Sequence, residues 1–134
     1  MTLRLALFVL LVSALSACGG GGIDFEFENR IEGRVTQIMD GDTWQLDSEP
    51  VRVRAWGYDA PECVPDCEND ATKRLRKLIT DQTLVCEWVD KRTSYSRKMV
   101  RCFTENGTDI GRAMVRSGTV REDCQISGGA YGTC

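Results

Sequence analysis

Histidine is absent from this 134-residue chain, which removes the commonest general base and the commonest metal ligand together. Seven cysteines are present, but none is spaced as C-x-x-C, so the thiolate and imidazole patterns of a structural zinc site are missing too. A basic excess is also lacking. Seventeen Lys and Arg face twenty Asp and Glu, a formal charge of −3. Proteins that hold polyanions without sequence preference do so by clustering cations that release counterions, so recognition of nucleic acid here has to come from local geometry. No internal repeat occurs, and Gly19 to Gly22 is the one low-complexity stretch.

The only long apolar run lies at the start. Arg4, the run Leu5 to Val12 and the small residues Ser13 to Ala17 have the layout of a secretory signal, too short to span a bilayer as a mature helix. Leu15-Ser16-Ala17-Cys18 resembles the lipobox of bacterial lipoproteins, in which the cysteine is acylated and becomes the new N-terminus. The plainer alternative is an ordinary signal peptide cut before an incidental cysteine. The expected organisation is a signal peptide over 1–17, lipidated Cys18 and a flexible Gly-rich tether over 18–27, and one small domain over 28–134. Loss of Arg4 with the signal moves the balance to −4. The expectation is an exported bacterial envelope lipoprotein, facing the periplasm or at the cell surface, monomeric and held to a membrane by its lipid.

Along the domain, IEGRVTQI (31–38) carries branched apolar residues around Gly33, the pattern of a bent or bulged strand. Asp40-Gly41 reads as a tight hairpin turn, and residues 43–46 as a second strand. VRVRAW (51–56) alternates, with Val51, Val53 and Ala55 on one face and Arg52, Arg54 and Trp56 on the other. Ala71, Leu75, Leu78 and Ile79 form a helical stripe with Asn69 or Asp70 as N-cap. Strands follow at 83–89 and 97–103. A last helix is expected from a Thr108 cap through Ile110, Ala113 and Met114 to Gly118. Five short strands with one helix after the third and one after the fifth predict a mainly β, α+β fold of the five-stranded OB-type Greek-key barrel kind; a small open α+β sheet uses the same elements.

Setting Cys18 aside leaves six cysteines, an even number suited to disulfides in an oxidising compartment and open to fifteen pairings. Cys86 and Cys102 fall nearly symmetrically about one hairpin and are favoured as a pair, with Cys63–Cys67 and Cys124–Cys134 as local staples.

DGDTW (40–44), VRAWGYDAPE (53–62) and YSR (95–97), in that order around a helix, resemble the signature of the staphylococcal-type thermonucleases, whose fold is an OB barrel with helices. The resemblance covers about residues 31–120. It implies a calcium-dependent nuclease hydrolysing phosphodiester bonds of DNA with low sequence specificity, with RNA left open as a second substrate. Asp42 and Asp59, at the ends of neighbouring strands, can offer the hard oxygens that Ca²⁺ demands. The family assigns these two, with the Ala60 carbonyl, as ligands, and leaves Asp40 in the outer shell. It gives Glu62 the orienting or deprotonation of the attacking water, a task a carboxylate beside a divalent cation performs without imidazole. It places Arg54 and Arg97 beside the scissile phosphate, where a planar guanidinium can hold two equatorial oxygens. It matches Tyr95 to a nucleotide-phosphate contact. Arg52 is expected to be a solvated charge.

Departures from the family are local. Ser96 replaces the glycine between tyrosine and arginine, and Ser94 stands where the best-known relative carries a phosphate-binding lysine. The tyrosines that wall the family's nucleotide pocket after the second helix are missing except Tyr131, which is left to pack against the barrel. Two rivals to the enzyme are a non-catalytic OB module binding single-stranded nucleic acid or a protein partner, and a disulfide-stapled surface lipoprotein with an interaction role.

Overall fold

The computed structural model describes residues 29–63, 68–94 and 96–134. The expected signal peptide and tether, Cys18, Cys67 and Tyr95 lie outside the described residues.

Five strands close into a barrel. β1 (Arg30–Asp40) is eleven residues long and pairs twice: its first half with β5 (Thr83–Ser94), its second with β2 (Thr43–Leu46). Sharing one strand between two neighbours requires a bend, which two register shifts supply, between Val35 and Gln37 and between Ile38 and Asp40. The bulges therefore fall after Gly33, not at it. A Cβ at Gly33 would meet Ser48 Oγ at 2.3 Å, a side-chain hydroxyl that can turn away. β3 (Val53–Ala55) pairs antiparallel with β2 and parallel with β6 (Arg97–Phe103), and β6 returns antiparallel to β5. The cyclic order β1-β2-β3-β6-β5 is that of an OB-like barrel within an α+β fold.

Alternation delivers the core. Trp44, Leu46, Val53, Leu84 and Val100 point into the barrel, and Leu75, Ile79, Ile110 and Met114 cover it from two helices. Full burial of each such side chain is worth about 1.5–3 kcal/mol. The first helix, α1 (Asp70–Ile79), starts on Asn69, whose Oδ1 accepts the Thr72 amide at 2.9 Å. The second, α2 (Ile110–Arg116), is capped by Asp109, not Thr108: Asp109 Oδ1 accepts the Arg112 amide at 3.2 Å.

Three elements go beyond the expected five strands and two helices. β4 (Tyr58–Asp59) follows β3 before α1 and pairs with β7 (Arg121–Glu122), and α3 (Cys124–Ser127) closes the chain. The buried Glu122 carboxylate organises this tail: Oε1 accepts Ser127 Oγ at 2.7 Å and the Tyr131 amide at 2.8 Å, and Oε2 accepts the amide and hydroxyl of Thr133, both at 2.8 Å. Burial alone would raise its pKa; these four donors outweigh that and draw it down to about 2. Tyr131 is buried as expected, its ring edge-on to Trp56 at 5.9 Å. The disulfides Cys86–Cys102 and Cys124–Cys134 are formed. Cys63 is disulfide-bonded as well; the expected pairing with Cys67 lies outside the described residues.

Candidate active site

The β1–β2 hairpin turns on Gly41 and Asp42, one residue later than expected, since Asp40 already pairs with Thr43. Glycine is required at 41 because a Cβ would meet Ala71 Cβ at 2.7 Å and Ala60 Cβ at 2.8 Å. That close approach brings the hairpin, the 59–62 loop and the start of α1 together. Tyr58 fastens the arrangement by donating its buried hydroxyl to Gly41 O at 3.0 Å.

Asp42 lies at the centre. Its backbone amide donates to Asp40 Oδ1 at 3.0 Å, its Oδ1 accepts Thr43 Oγ1 at 2.9 Å, and its Oδ2 accepts the Ala60 amide at 2.8 Å. Arg54 Nη2 lies 3.2 Å from the same Oδ2 and also bonds Asp59 Oδ1. Arg54 Nη1 donates to Ala55 O and Tyr58 O, both at 2.9 Å, which fixes the plane of the guanidinium. Arg97 joins from β6: its Nη1 donates to Thr43 Oγ1 at 3.1 Å. Thr43 thus links the central carboxylate to the second arginine. Burial pushes the Asp42 pKa up to about 6 against the opposing pull of Arg54 and the Ala60 amide, with the nearby Asp40 charge adding to the rise.

Of the residues expected to share a site, Asp40, Asp42, Asp59, Arg54 and Arg97 are therefore joined in one hydrogen-bonded cluster, with Ala60 tied in through its amide. Glu62 is not tied to it. Its side chain is exposed on the loop after Asp59 and makes no hydrogen bond or ion pair with a described residue. That loop is anchored next to it, because Asn69 Nδ2 donates to Pro61 O at 3.1 Å. Tyr95 lies outside the described residues. Ser96 adopts φ +63°, the left-handed conformation in which glycine is most at ease, so the serine keeps a glycine-like backbone just ahead of Arg97.

No family model matches the chain. Two relatives, one from Escherichia coli O157:H7 and one from Escherichia coli, are each 32% identical to it over 90 residues, 66% of this chain. Both carry the name uncharacterized endonuclease. The chain spans 58% of the length of each.

Among the described residues, no group of three or more His, Cys, Asp or Glu side chains gathers closely enough to hold a metal ion. The oxygen donors at the cluster, the carboxylates of Asp40, Asp42 and Asp59, are nevertheless hard oxygens of the type that suits Ca²⁺ and not zinc. What the cluster does hold is Arg54, which supplies the positive charge between Asp42 and Asp59.

Sequence reasoning missed Thr43, Tyr58 and Glu122. Thr43 and Tyr58 sit inside the quoted motifs, but Thr43 reads as an ordinary strand residue and Tyr58 lies just beyond the strand read over 51–56. Glu122 acts at a distance: its strand β7 pairs Arg121 with Asp59 and so holds the segment that presents that carboxylate. Only the position of an acidic residue just ahead of Cys124 could have flagged it.

Proposed function

We propose that the chain is a nuclease of the thermonuclease type, hydrolysing phosphodiester bonds in DNA and RNA with low sequence preference, calcium-dependent, exported and lipid-anchored through Cys18. One observation carries the reading: Arg54 of β3 and Arg97 of β6 form a single cluster with Asp42 of the β1–β2 turn and Asp59 of β4, beside the OB-like barrel. The endonuclease name of the two Escherichia coli relatives supports it.

The residues divide the work by chemistry. Arg54 and Arg97 present guanidinium forks to the scissile phosphate and stabilise the charge that grows on its equatorial oxygens. Asp42, Asp59 and the Ala60 carbonyl would hold Ca²⁺, with Asp40 supporting Asp42. Bound there, the cation supplies charge stabilisation at the phosphate and lowers the pKa of water. Glu62, exposed and without a partner among the described residues, is available to orient or deprotonate the attacking water. Arg54 has to exchange its carboxylate contacts for phosphate contacts as substrate enters. Thr43 holds Arg97 in register with Asp42 throughout.

The non-catalytic OB reading needs an exposed stacking platform and a basic groove. The cluster that ties Arg54 and Arg97 to the Asp42 carboxylate is neither of these, and it favours the enzyme. A zymogram with denatured DNA and with RNA, run with calcium and with a chelator, tests the proposal. Clearing in calcium that the chelator abolishes is expected; intact nucleic acid in every lane would refute it.

A further inference from the structure

Arg97 borders a second space as well as the carboxylate cluster. A cavity of about 590 Å³ is lined by Gln45, Pro50, Val51, Arg52, Ser96 and Arg97, within the size range of small-molecule and cofactor sites. Its geometry follows from the one parallel pairing of the barrel. Val53 on β3 stands opposite Lys98 on β6, and the Lys98 amide donates to Arg52 O at 3.3 Å, so Arg52 and Arg97 flank the same edge.

The wall on the β2–β3 side is built. Gln45 Nε2 reaches the carbonyls of Leu46 at 3.0 Å, Glu49 at 2.6 Å and Val51 at 3.4 Å, which pins the connection between the two strands. Of the two carboxylates on that connection, Asp47 accepts the Arg34 amide at 2.8 Å and Glu49 is neutralised by Lys98 Nζ at 2.6 Å. Lys98 is itself placed over the Trp88 ring, 4.7 Å from its centroid. Arg52, by contrast, is exposed, and its side chain makes no hydrogen bond or ion pair with a described residue. The cavity thus carries one anchored guanidinium and one guanidinium with no partner among the described residues, with Pro50 and Val51 as an apolar wall. That combination suits a phosphodiester with its attached nucleoside.

We propose that Arg52 binds the phosphate next to the one engaged by Arg97, making this cavity a second substrate subsite that lengthens the grip on a single strand. The proposal rests on the nuclease reading and extends it, since Arg52 is assigned to strand binding and not to chemistry.

The test is fluorescence anisotropy of a labelled single-stranded oligonucleotide of about eight nucleotides, within the span of one OB fold, in chelator so that no cleavage occurs, over a range of salt. The full chain is compared with Arg52→Ala, Arg52→Lys and Arg116→Ala; Arg116 is an exposed cation on α2, outside the cavity. Arg52→Ala is expected to bind about 10-fold more weakly and to lose about 0.7 from the log–log salt slope, the share of one phosphate on a single strand. Arg52→Lys should recover part of the affinity, and Arg116→Ala should match the parent, all four melting alike. Equal affinity and slope in Arg52→Ala, or an equal loss in Arg116→Ala, would overturn the subsite. A parent chain that cuts DNA while Arg52→Ala binds normally loses the subsite alone. A parent that never cuts DNA in calcium loses the nuclease reading, while an Arg52→Ala binding defect would still stand as a strand-binding site.

Discussion

Replacing Thr43 by valine removes one hydroxyl and keeps the shape, and the structure gives that hydroxyl two tasks. It donates to Asp42 Oδ1 at 2.9 Å and accepts from Arg97 Nη1 at 3.1 Å. Thr43 is only 3% exposed, so water cannot replace the lost donor at Asp42. A hydrogen bond to a charged group contributes about 1.5–3 kcal/mol. The Arg97 side is half-buried and partly rehydrates, so its loss adds toward the lower end, for a combined cost of about 2–4 kcal/mol. At about 4 °C per kcal/mol for a domain near 100 residues, Tm should fall by about 10 °C. Thr43→Ser keeps the hydroxyl and should stay close to the parent. Thermal unfolding followed by circular dichroism, in chelator, reads this directly. On the activity side, freeing Arg97 from its anchor should lower kcat on denatured DNA about 10-fold, equivalent to about 1.4 kcal/mol at the transition state. If Thr43→Val melts with the parent and digests DNA at the parent's rate, the link from Asp42 through Thr43 to Arg97 does no work and the account of how Arg97 is positioned is wrong.

Three further outcomes follow from the same geometry. The Asp42 pKa is raised from 3.8 to about 6, so the folded state holds that proton more tightly and this group costs stability as pH rises across that interval; Asp42→Asn should remove that decline in urea titrations run without metal. Glu122 has the opposite sign: with its pKa lowered from 4.5 to about 2, its stabilisation is fully present above about pH 4.5 and lost as pH falls toward 2, and Glu122→Gln should flatten that acid limb. Replacing Cys124 and Cys134 together by serine opens a loop of sequence separation 10 and should cost about 3 kcal/mol by the loop-entropy relation, read as a lower urea midpoint and faster proteolysis of the tail.

How much of this was legible in the chain depends on the range over which each feature is determined. The five barrel strands and the long helix announce themselves locally, through β-branched alternation and the stripe from Ala71 to Ile79, and Asn69 is a cap by its own chemistry. The Cys86–Cys102 pair followed from symmetry about a hairpin, and the structure aligns those two residues across β5 and β6. β4, β7 and α3 were not legible. Two-residue strands have no periodicity to detect, and each exists because a distant segment completes it, as Glu122 does for Tyr131 and Thr133. The turn position slipped by one residue because Asp40-Gly41 and Gly41-Asp42 satisfy the same local rule and only the register with Thr43 decides between them. Within the site, the residue types pointed to the right neighbourhood but not to their partners. Aspartates suited to a cation and an arginine suited to a phosphate turn out to neutralise each other, a pairing between positions 42, 54 and 59 that no local pattern encodes.

The claim on which the rest depends is that Arg97 and the Asp42–Arg54–Asp59 cluster form one phosphodiesterase centre. Its most direct measurement is the initial rate of denatured-DNA digestion in millimolar calcium by the parent and by Arg97→Ala, with melting curves of both. The account predicts a kcat lower by about 10²-fold or more, the scale of losing a transition-state charge donor, in a variant that still folds. Equal rates from two equally folded proteins would contradict it.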